Sequence, residues 1–93
     1  MKKVSFKKAI QIVFPEATDI KLCKGYYYCN GFFNVGNQTY YINTGDTRIE
    51  GIGTMYRTAK DRKDFTGGIN QFDFDSKLKE KGYVIGSVPQ KTC

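Results

Sequence analysis

The chain places five aromatic side chains within nine residues, in the stretch GYYYCNGFF from Gly25 to Phe33. Aromatic rings serve two purposes at a protein surface: they stack on nucleic-acid bases, and they supply rigid contact area to a protein partner. A single strand in the core of a small domain does not usually need so many rings. We therefore expect some of these rings to fill the core and the others to face a partner.

A second stretch, RTAKDRKDFTGG, is rich in groups that bind anions. Its basic residues are Arg57, Lys60, Arg62 and Lys63. Asp61 and Asp64 offset two of these four positive charges, and the backbone N–H groups of Gly67 and Gly68 could form an anion-binding nest beside them. The stretch predicts either a loop that grips phosphates or an acidic protein surface, or a solvated turn with internal ion pairs.

Catalytic chemistry has little support in this sequence. The chain contains no histidine, so the commonest general base is absent and no Ser-His or Cys-His pair can form. No phosphate-binding loop, nucleophile elbow or zinc-protease motif occurs. Asp73 and Asp75 could hold a divalent metal with Asp46 or Glu50, but helix capping explains these aspartates better. We therefore predict a protein that is not an enzyme and has no metal or cofactor.

The composition narrows the class of protein. The 93 residues suit one domain, residues 1–93, and 40% of them are apolar, as in a globular protein. The net charge of +6 favours an acidic partner such as nucleic acid, a nucleoprotein or an anionic surface. No apolar run approaches the ~20 residues that cross a bilayer, so we expect no membrane partner.

The cysteines and the N-terminus bear on the cellular compartment. The chain has three cysteines, Cys23, Cys29 and Cys93, and the lysines after Met1 lead into no apolar segment of a signal peptide. An odd number of cysteines without an export signal is typical of reduced thiols. We therefore predict a cytoplasmic protein whose cysteines are reduced.

The first of the elements that must position these groups is a short amphipathic helix. Its apolar residues fall at i, i+3, i+4 and i+7, and they are Phe6, Ala9, Ile10 and Val13. Ser5 is a suitable N-cap, and Pro15 disfavours helical geometry at Phe14. The helix should begin after Ser5 and end before Pro15.

Three glycine-containing pairs predict two-residue hairpin turns, namely Lys24-Gly25, Gly36-Asn37 and Gly45-Asp46. Each turn determines which residues lie opposite each other in the two strands that it joins. The implied pairs are Leu22–Tyr27 and Ile20–Cys29 for the first turn, Val35–Gln38, Phe33–Tyr40 and Gly31–Ile42 for the second, and Ile42–Ile49 for the third.

Because side chains alternate along a strand, these registers sort the residues onto two faces. The inner face is apolar and has Ile20, Leu22, Tyr27, Cys29, Phe33, Val35, Tyr40, Ile42 and Ile49. The outer face has Lys21, Cys23, Tyr26, Tyr28, Asn30, Phe32, Asn34, Thr39, Tyr41, Asn43, Arg48 and Glu50. The agreement of three turns on one apolar face predicts an antiparallel meander with the first helix packed on it.

The rest of the chain predicts a bend, a long loop, a helix and a strand. Gly51-Ile52-Gly53 marks the bend, and TMYRTAK either extends the fourth strand or forms a fifth. After the aperiodic DRKDFTGGINQF, a helix capped by Asp73 or Asp75 should end at Gly82, before a terminal strand YVIGSV. The predicted fold is α+β: an N-terminal helix packed on a four- to five-stranded antiparallel meander, with a short C-terminal helix.

The outer face has more rings than a core needs, and these are Tyr26, Tyr28, Phe32 and Tyr41. Lys21 is predicted opposite Tyr28, within reach of a cation–π contact. Three alternatives stay open for these rings. The last helix or YVIGSV buries them, a protein partner or a second copy of the chain binds them, or nucleic-acid bases stack on them.

These features favour a non-enzymatic binding protein that occupies a surface of a protein or nucleoprotein partner, as a stoichiometric inhibitor or adaptor does. Phage and mobile-element accessory proteins often have this profile, which is an analogy only. The predicted partner-binding residues are Lys21, Tyr26, Tyr28, Phe32, Tyr41, Arg57, Lys60, Arg62 and Lys63. The alternative is a direct RNA- or DNA-binding module that stacks bases on the rings and clamps phosphates with the basic loop.

Overall fold

The computed structural model describes residues 1–46, 48 and 53–92. Within them the chain forms β1 (Lys2–Ser5), α1 (Phe6–Val13), β2 (Ala17–Lys24), β3 (Cys29–Val35), β4 (Gln38–Asn43), β5 (Met55–Ala59), α2 (Phe74–Glu80) and β6 (Tyr83–Ser87). β2 to β5 form a four-stranded antiparallel sheet in chain order, and β1 and β6 form a separate parallel pair. The predicted α+β fold, with a helix packed on an antiparallel meander, is confirmed.

The first helix has the boundaries that its capping residues predict. The Ser5 hydroxyl accepts a hydrogen bond from the Lys8 N–H at 3.1 Å, which satisfies one of the free donors of the first turn. α1 then ends at Val13, before Pro15. Its buried residues are Phe6, Ala9 and Ile10, as the apolar spacing predicts.

The β3–β4 hairpin has the predicted register. Val35 lies opposite Gln38, and Phe33 lies opposite Tyr40. Gly36 opens the turn with a φ of +60°, a conformation that costs glycine little because it has no Cβ. This hairpin fixes which rings of the central strands face inward.

The predicted register of β2 with β3 is wrong. Leu22 lies opposite Gly31 instead of Tyr27, and Lys24 lies opposite Cys29. The Gly25 N–H donates to the Tyr28 carbonyl at 2.7 Å, which leaves Tyr26 and Tyr27 at the tip of the hairpin. The observed pairing is shifted from the predicted pairing by an even number of residues. The residues of β3 therefore keep their predicted inner and outer faces.

Steric space for Tyr28, and not a turn conformation, explains the glycine at position 25. A Cβ on Gly25 would collide with the ring of Tyr28, which lies directly over it. β2 ends at Lys24, and the hydrogen bond between Gly25 and Tyr28 places the turn at the two tyrosines between them. Tyr27, predicted on the inner face, is instead exposed at the tip.

A bulge at Asp19 interrupts β2, which is an edge strand of the sheet. The pairing with β3 shifts between Thr18 and Lys21, and Asp19 has a φ of 51°, which aspartate tolerates better than most residues. Such a bulge twists an edge strand and makes it a poorer template for another strand.

The fourth strand of the meander is the TMYRTAK segment. Ile42 lies opposite Tyr56 of β5 and, on its other side, opposite Gly31 of β3. Its predicted partner, Ile49, lies outside the described residues. The turn glycine of the third predicted hairpin, Gly45, does have a positive φ of 78°.

The core lies between the inner face of the sheet and a layer formed by the two helices and the β1–β6 pair. Its buried residues are Phe6, Ala9, Ile10, Cys29, Phe33, Ile42, Tyr56, Phe74 and Leu78. Phe14, at the end of α1, contacts three rings of this core and the partly buried Tyr40 ring, with centroids 5.2–6.4 Å away. Burial of these rings is the main stabilising contribution to the fold.

The last elements agree with the prediction, and β1 is an addition to it. Gly82 follows α2 with a φ of +89°, as expected of a glycine at a helix C-terminus, and β6 begins at Tyr83. β1 pairs with β6, Lys2 opposite Tyr83 and Lys3 opposite Val84. The lysine-rich start of the chain has no alternating pattern that would predict this strand.

Candidate partner-binding surfaces

The outer face of the sheet is covered by the chain itself. We call residues 60–72, which follow β5, the covering loop. Its Phe65 ring packs on Phe32 and Tyr41, with centroids 5.3 and 5.7 Å away. Phe32 and Tyr41 are therefore buried, in a small cluster with Ala59 and the partly buried Met55.

This burial decides between the alternatives for these two rings. The outer face is covered by the covering loop, and neither α2 nor β6, both of which pack on the opposite side of the sheet, contributes. Phe32 and Tyr41 thus offer no contact area to a partner in this structure. The Tyr41 hydroxyl is also engaged, because it accepts hydrogen bonds from the amides of Asn30 and Asn43 at 3.0 and 2.9 Å.

Arg57, predicted to contact a partner, is an internal contact of the outer face. Only 3% of its surface is exposed, and its guanidinium lies 4.5 Å from the centroid of the Tyr41 ring. It donates to the Asp64 carbonyl at 3.3 Å. A buried charge is tolerated where a ring face and carbonyl oxygens replace its water, so Arg57 fixes the covering loop to the sheet.

Arg62, a residue of the covering loop, connects this loop to the edge strand β2. Its guanidinium donates to the carbonyls of Asp19 and Phe32 at 2.5 and 3.3 Å, and to the Asn34 side chain at 3.3 Å. The carbonyl of the bulged Asp19 thus has a partner from the covering loop. The planar donors of arginine suit such a divided set of acceptors.

The predicted anion nest already contains an anion from the chain. The Asp64 carboxylate accepts hydrogen bonds from the N–H groups of Lys60, Thr66 and Gly67 at 2.8–3.0 Å. These bonds lower the pKa of Asp64 to about 2. The backbone N–H of Gly67 is therefore not available to a phosphate.

Three of the predicted partner-binding cations remain exposed. Lys60 and Lys63 lie on the covering loop, and Lys21 lies on β2 opposite Phe32 rather than Tyr28. The predicted cation–π contact between Lys21 and Tyr28 is therefore wrong as to register. The cation that does meet a tyrosine of the β2–β3 turn is Arg48.

The exposed rings of the predicted set, Tyr26 and Tyr28, lie at the β2–β3 turn beside Tyr27. We call Tyr26, Tyr27 and Tyr28 the tyrosine tip. Tyr26 is 82% exposed, and the other two are partly exposed. The rings of Tyr26 and Tyr27 meet edge to face with centroids 4.4 Å apart. Tyr28 lies over Gly25, so that each ring of the tip has a defined support.

Arg48 supports the tyrosine tip from the β4–β5 connection. Its guanidinium lies 3.5 Å from the centroid of the Tyr27 ring, and it makes two hydrogen bonds to the Asp46 carboxylate at 2.7 and 3.0 Å. These bonds lower the pKa of Asp46 to about 2. The charge of Arg48 is thus compensated within the chain, and the tip presents rings without an uncompensated guanidinium.

The sequence prediction places neither Tyr27 at the exposed tip nor Phe65 on the outer face. The prediction puts Tyr27 on the inner face because it treats Gly25 as a turn residue. A run of three tyrosines was the available signal, because consecutive residues of a strand cannot all face one side. Phe65 is one ring in a polar loop, and nothing in the sequence indicates which surface it covers.

No known protein family, curated protein or solved structure matched this chain in comparisons of sequence and structure. The arrangement of its own side chains is therefore what carries a functional conclusion.

Of the carboxylates that could have held a metal, Asp46, Asp73 and Asp75 have structural partners, and Glu50 lies outside the described residues. Asp73 stands at the N-cap of α2 without a capping bond and pairs with Lys77 at 3.1 Å; the Tyr56 hydroxyl and Lys77 lower its pKa. Asp75 accepts from the Thr54 N–H at 2.7 Å. Across residues 1–46, 48 and 53–92, no cluster of three or more cysteines and carboxylates could hold a metal ion.

Cys23 differs from the prediction of reduced thiols, and Cys29 agrees with it. Cys23 is disulfide-bonded, whereas Cys29 is a free thiol in the core, where burial raises its pKa to about 11. Cys93 lies outside the described residues. Neither helix in the described part of the chain is long and apolar enough to cross a membrane.

Proposed function

We propose that this chain is a non-enzymatic binding protein that occupies a surface of a protein partner through its tyrosine tip. The observation that carries the proposal is the exposure of three consecutive tyrosines on a supported hairpin turn. Tyrosines of this kind provide large, rigid, amphipathic contact area and are frequent among the residues that dominate binding energies.

The support beneath the rings favours a binding role over chance exposure. Arg48 stacks on Tyr27, Tyr27 contacts Tyr26, and Tyr28 lies over a glycine that leaves space for it. A surface held in one arrangement loses less conformational entropy on association than a flexible one. The chain thus presents rings whose ordering cost has already been met by folding.

The pairing of Arg48 with Asp46 favours a protein surface over a nucleic-acid strand at the tip. A single-strand binder combines exposed rings with cations that follow the phosphates. Arg48, the cation that stacks on the tip, is bound to Asp46 through both of its side-chain oxygens. With this compensation, the tip resembles the aromatic centre of a protein interface more than a base-stacking platform. Binding of this kind acts by occupancy, as stoichiometric inhibitors and adaptors do.

The proposal is tested by capture and reconstitution. The wild-type chain and a Y26A/Y27A variant are used to purify partners from a nuclease-treated bacterial lysate, and the captured protein is then titrated in pure form. We expect the wild type to bind one protein at 1:1 and the variant to lose at least a hundredfold in affinity while keeping its melting temperature.

A matched variant separates the tip from general surface apolarity. Ile69→Ala combined with Phe72→Ala also removes two exposed apolar side chains, but from the covering loop, and should bind as the wild type does. Equal loss in the two variants, or capture that disappears with nuclease treatment, would contradict binding of a protein through the tyrosine tip.

A further inference from the structure

The positive charge of the chain is concentrated in the layer opposite the outer face. Seven exposed lysines belong to β1, α1, α2 and the turn after it: Lys2, Lys3, Lys7, Lys8, Lys77, Lys79 and Lys81. Against them, residues 2–13 and 73–87 contain three carboxylates, which leaves +4 of the total +6 in these two segments. We call these seven residues the lysine layer.

The fold brings the two halves of the lysine layer together from opposite ends of the chain. The Lys2 N–H donates to the carbonyl of Gly82, the residue after Lys81, at 3.1 Å. The first residues of the two helices also meet, since the Phe6 and Phe74 rings lie edge to face with centroids 6.4 Å apart. Lysines separated by some 70 positions in sequence thus lie on elements that contact each other in the fold.

Most carboxylates of these segments are already engaged. Asp73 pairs with Lys77, and Asp75 accepts hydrogen bonds from Thr54. Glu80 is the remaining carboxylate of the two segments. Six of the seven lysines therefore have no carboxylate within ion-pair distance among the described residues.

Unlike these lysines, the arginines of the described chain are engaged in internal contacts. Arg48 is bound to Asp46, Arg57 is buried on Tyr41, and Arg62 is divided among three acceptors of the sheet. Arginine in this protein serves internal contacts, and the charge left for a partner is carried by lysine. Flexible ammonium groups without defined acceptors suit an extended anionic surface better than one bidentate ligand.

We infer that the lysine layer binds the phosphate backbone of a nucleic-acid duplex. A single strand would require several exposed rings interleaved with the cations, whereas among the described residues Phe72 is the exposed ring that shares a cleft with a lysine of the layer, Lys79. Backbone contact without base contact is sequence-independent and releases counterions. The inference concerns elements other than those that carry the tyrosine tip.

The experiment measures binding of a labelled 20-base-pair DNA duplex by fluorescence anisotropy between 50 and 200 mM salt. With up to six phosphate contacts, the slope of log K against log salt should lie at about −3 to −5. The variant K3Q/K7Q/K8Q/K81Q should flatten this slope by about 3 and lose at least tenfold in affinity at 50 mM salt, with unchanged circular dichroism.

The control removes the same number of charges elsewhere. The variant K21Q/K24Q/K60Q/K63Q changes four exposed lysines of β2 and the covering loop, and should keep most of the slope. Equal loss in both variants would overturn the assignment, because net charge alone would then explain binding. Absence of binding at 50 mM salt would overturn it too, as would equal affinity for a single strand or equal competition by polyglutamate.

Discussion

The Phe65 ring meets the Phe32 ring edge to face, with centroids 5.3 Å apart and planes inclined by 69°. A residue of the covering loop thereby closes the outer face of the sheet, which would otherwise present Phe32 and Tyr41 to solvent. Two arginines hold the covering loop in place: Arg57 of β5 donates to the loop, and Arg62 of the loop donates to the edge strand. The covering loop is therefore part of the fold, and Arg57 and Arg62 are engaged in contacts within it.

Replacement of Phe65 by alanine should expose this face. Phe65 is itself 59% exposed, so we expect a loss of about 1–2 kcal/mol in the free energy of unfolding, less than the 3–5 kcal/mol of a fully buried ring. Urea denaturation measures this loss, and binding of a hydrophobic dye should rise. Ile69→Ala is the control, since Ile69 is more exposed than Phe65. A loss under 0.5 kcal/mol in both variants would show that the loop does not depend on this ring.

The elements that could be predicted are those determined by residues close to them in sequence. Ser5 and Pro15 delimit α1, and Gly36 determines the β3–β4 register, because capping bonds and a positive φ are properties of the residues themselves. The alternation of β3 and β4 likewise identified the inner face. These parts of the fold could be predicted because few alternatives satisfy the same local requirements.

The errors arose where a distant contact decided the structure. Gly25 is a glycine because Tyr28 lies over it, and β1 is a strand because β6 pairs with it. Phe65 belongs to the outer face only through packing against Phe32. For the candidate site, composition predicts that some rings of residues 25–33 face outward. Which of them lie in the tyrosine tip and which are buried on the outer face depends on the β2–β3 register, and distant contacts determine that register.

The Asp64 carboxylate should make the covering loop sensitive to acid. Its pKa is lowered from 3.8 to about 2 by the N–H donors of Lys60, Thr66 and Gly67. Because the folded-state pKa is lowered, this stabilisation is complete above about pH 4 and is lost as the pH falls towards 2. The amide proton shifts of the three donors, followed by NMR, should change with a midpoint near 2.

Asp64→Asn should abolish this transition, since the amide keeps an acceptor oxygen but does not titrate. Asp61→Asn is the matched control, because among the described residues the Asp61 carboxylate accepts a hydrogen bond from the Lys63 N–H and from none of the three donors. A wild-type midpoint near 3.8 would mean that the carboxylate does not organise the loop.

The two described cysteines should differ in reactivity. Burial raises the pKa of Cys29 from 9.0 to about 11, so its thiolate population at pH 8 falls about a hundredfold, and the thiolate is the reactive form. We expect iodoacetamide to leave Cys29 unmodified in the folded protein and to label it after denaturation. Cys23 should require a reductant as well, because it is disulfide-bonded. Peptide mass spectrometry distinguishes the sites, and rapid native labelling of Cys29 would contradict its burial.

Gly25→Ala tests whether Tyr28 is positioned by the space above Gly25. The new Cβ would collide with the Tyr28 ring, which can swing outward because it is partly exposed, so we expect a loss of about 1 kcal/mol in unfolding free energy. In a double-mutant cycle, Tyr28→Ala should cost less in the G25A background than in the wild type, with a coupling energy of at least 0.5 kcal/mol, on the order expected for residues in contact.

Gly36→Ala is the control, because its cost comes from a φ of +60° with no neighbour near its Cβ. It should be additive with Tyr28→Ala. Additivity in the Gly25 cycle would mean that Tyr28 is held by something other than this glycine, and the preorganised tip would lose one of its supports.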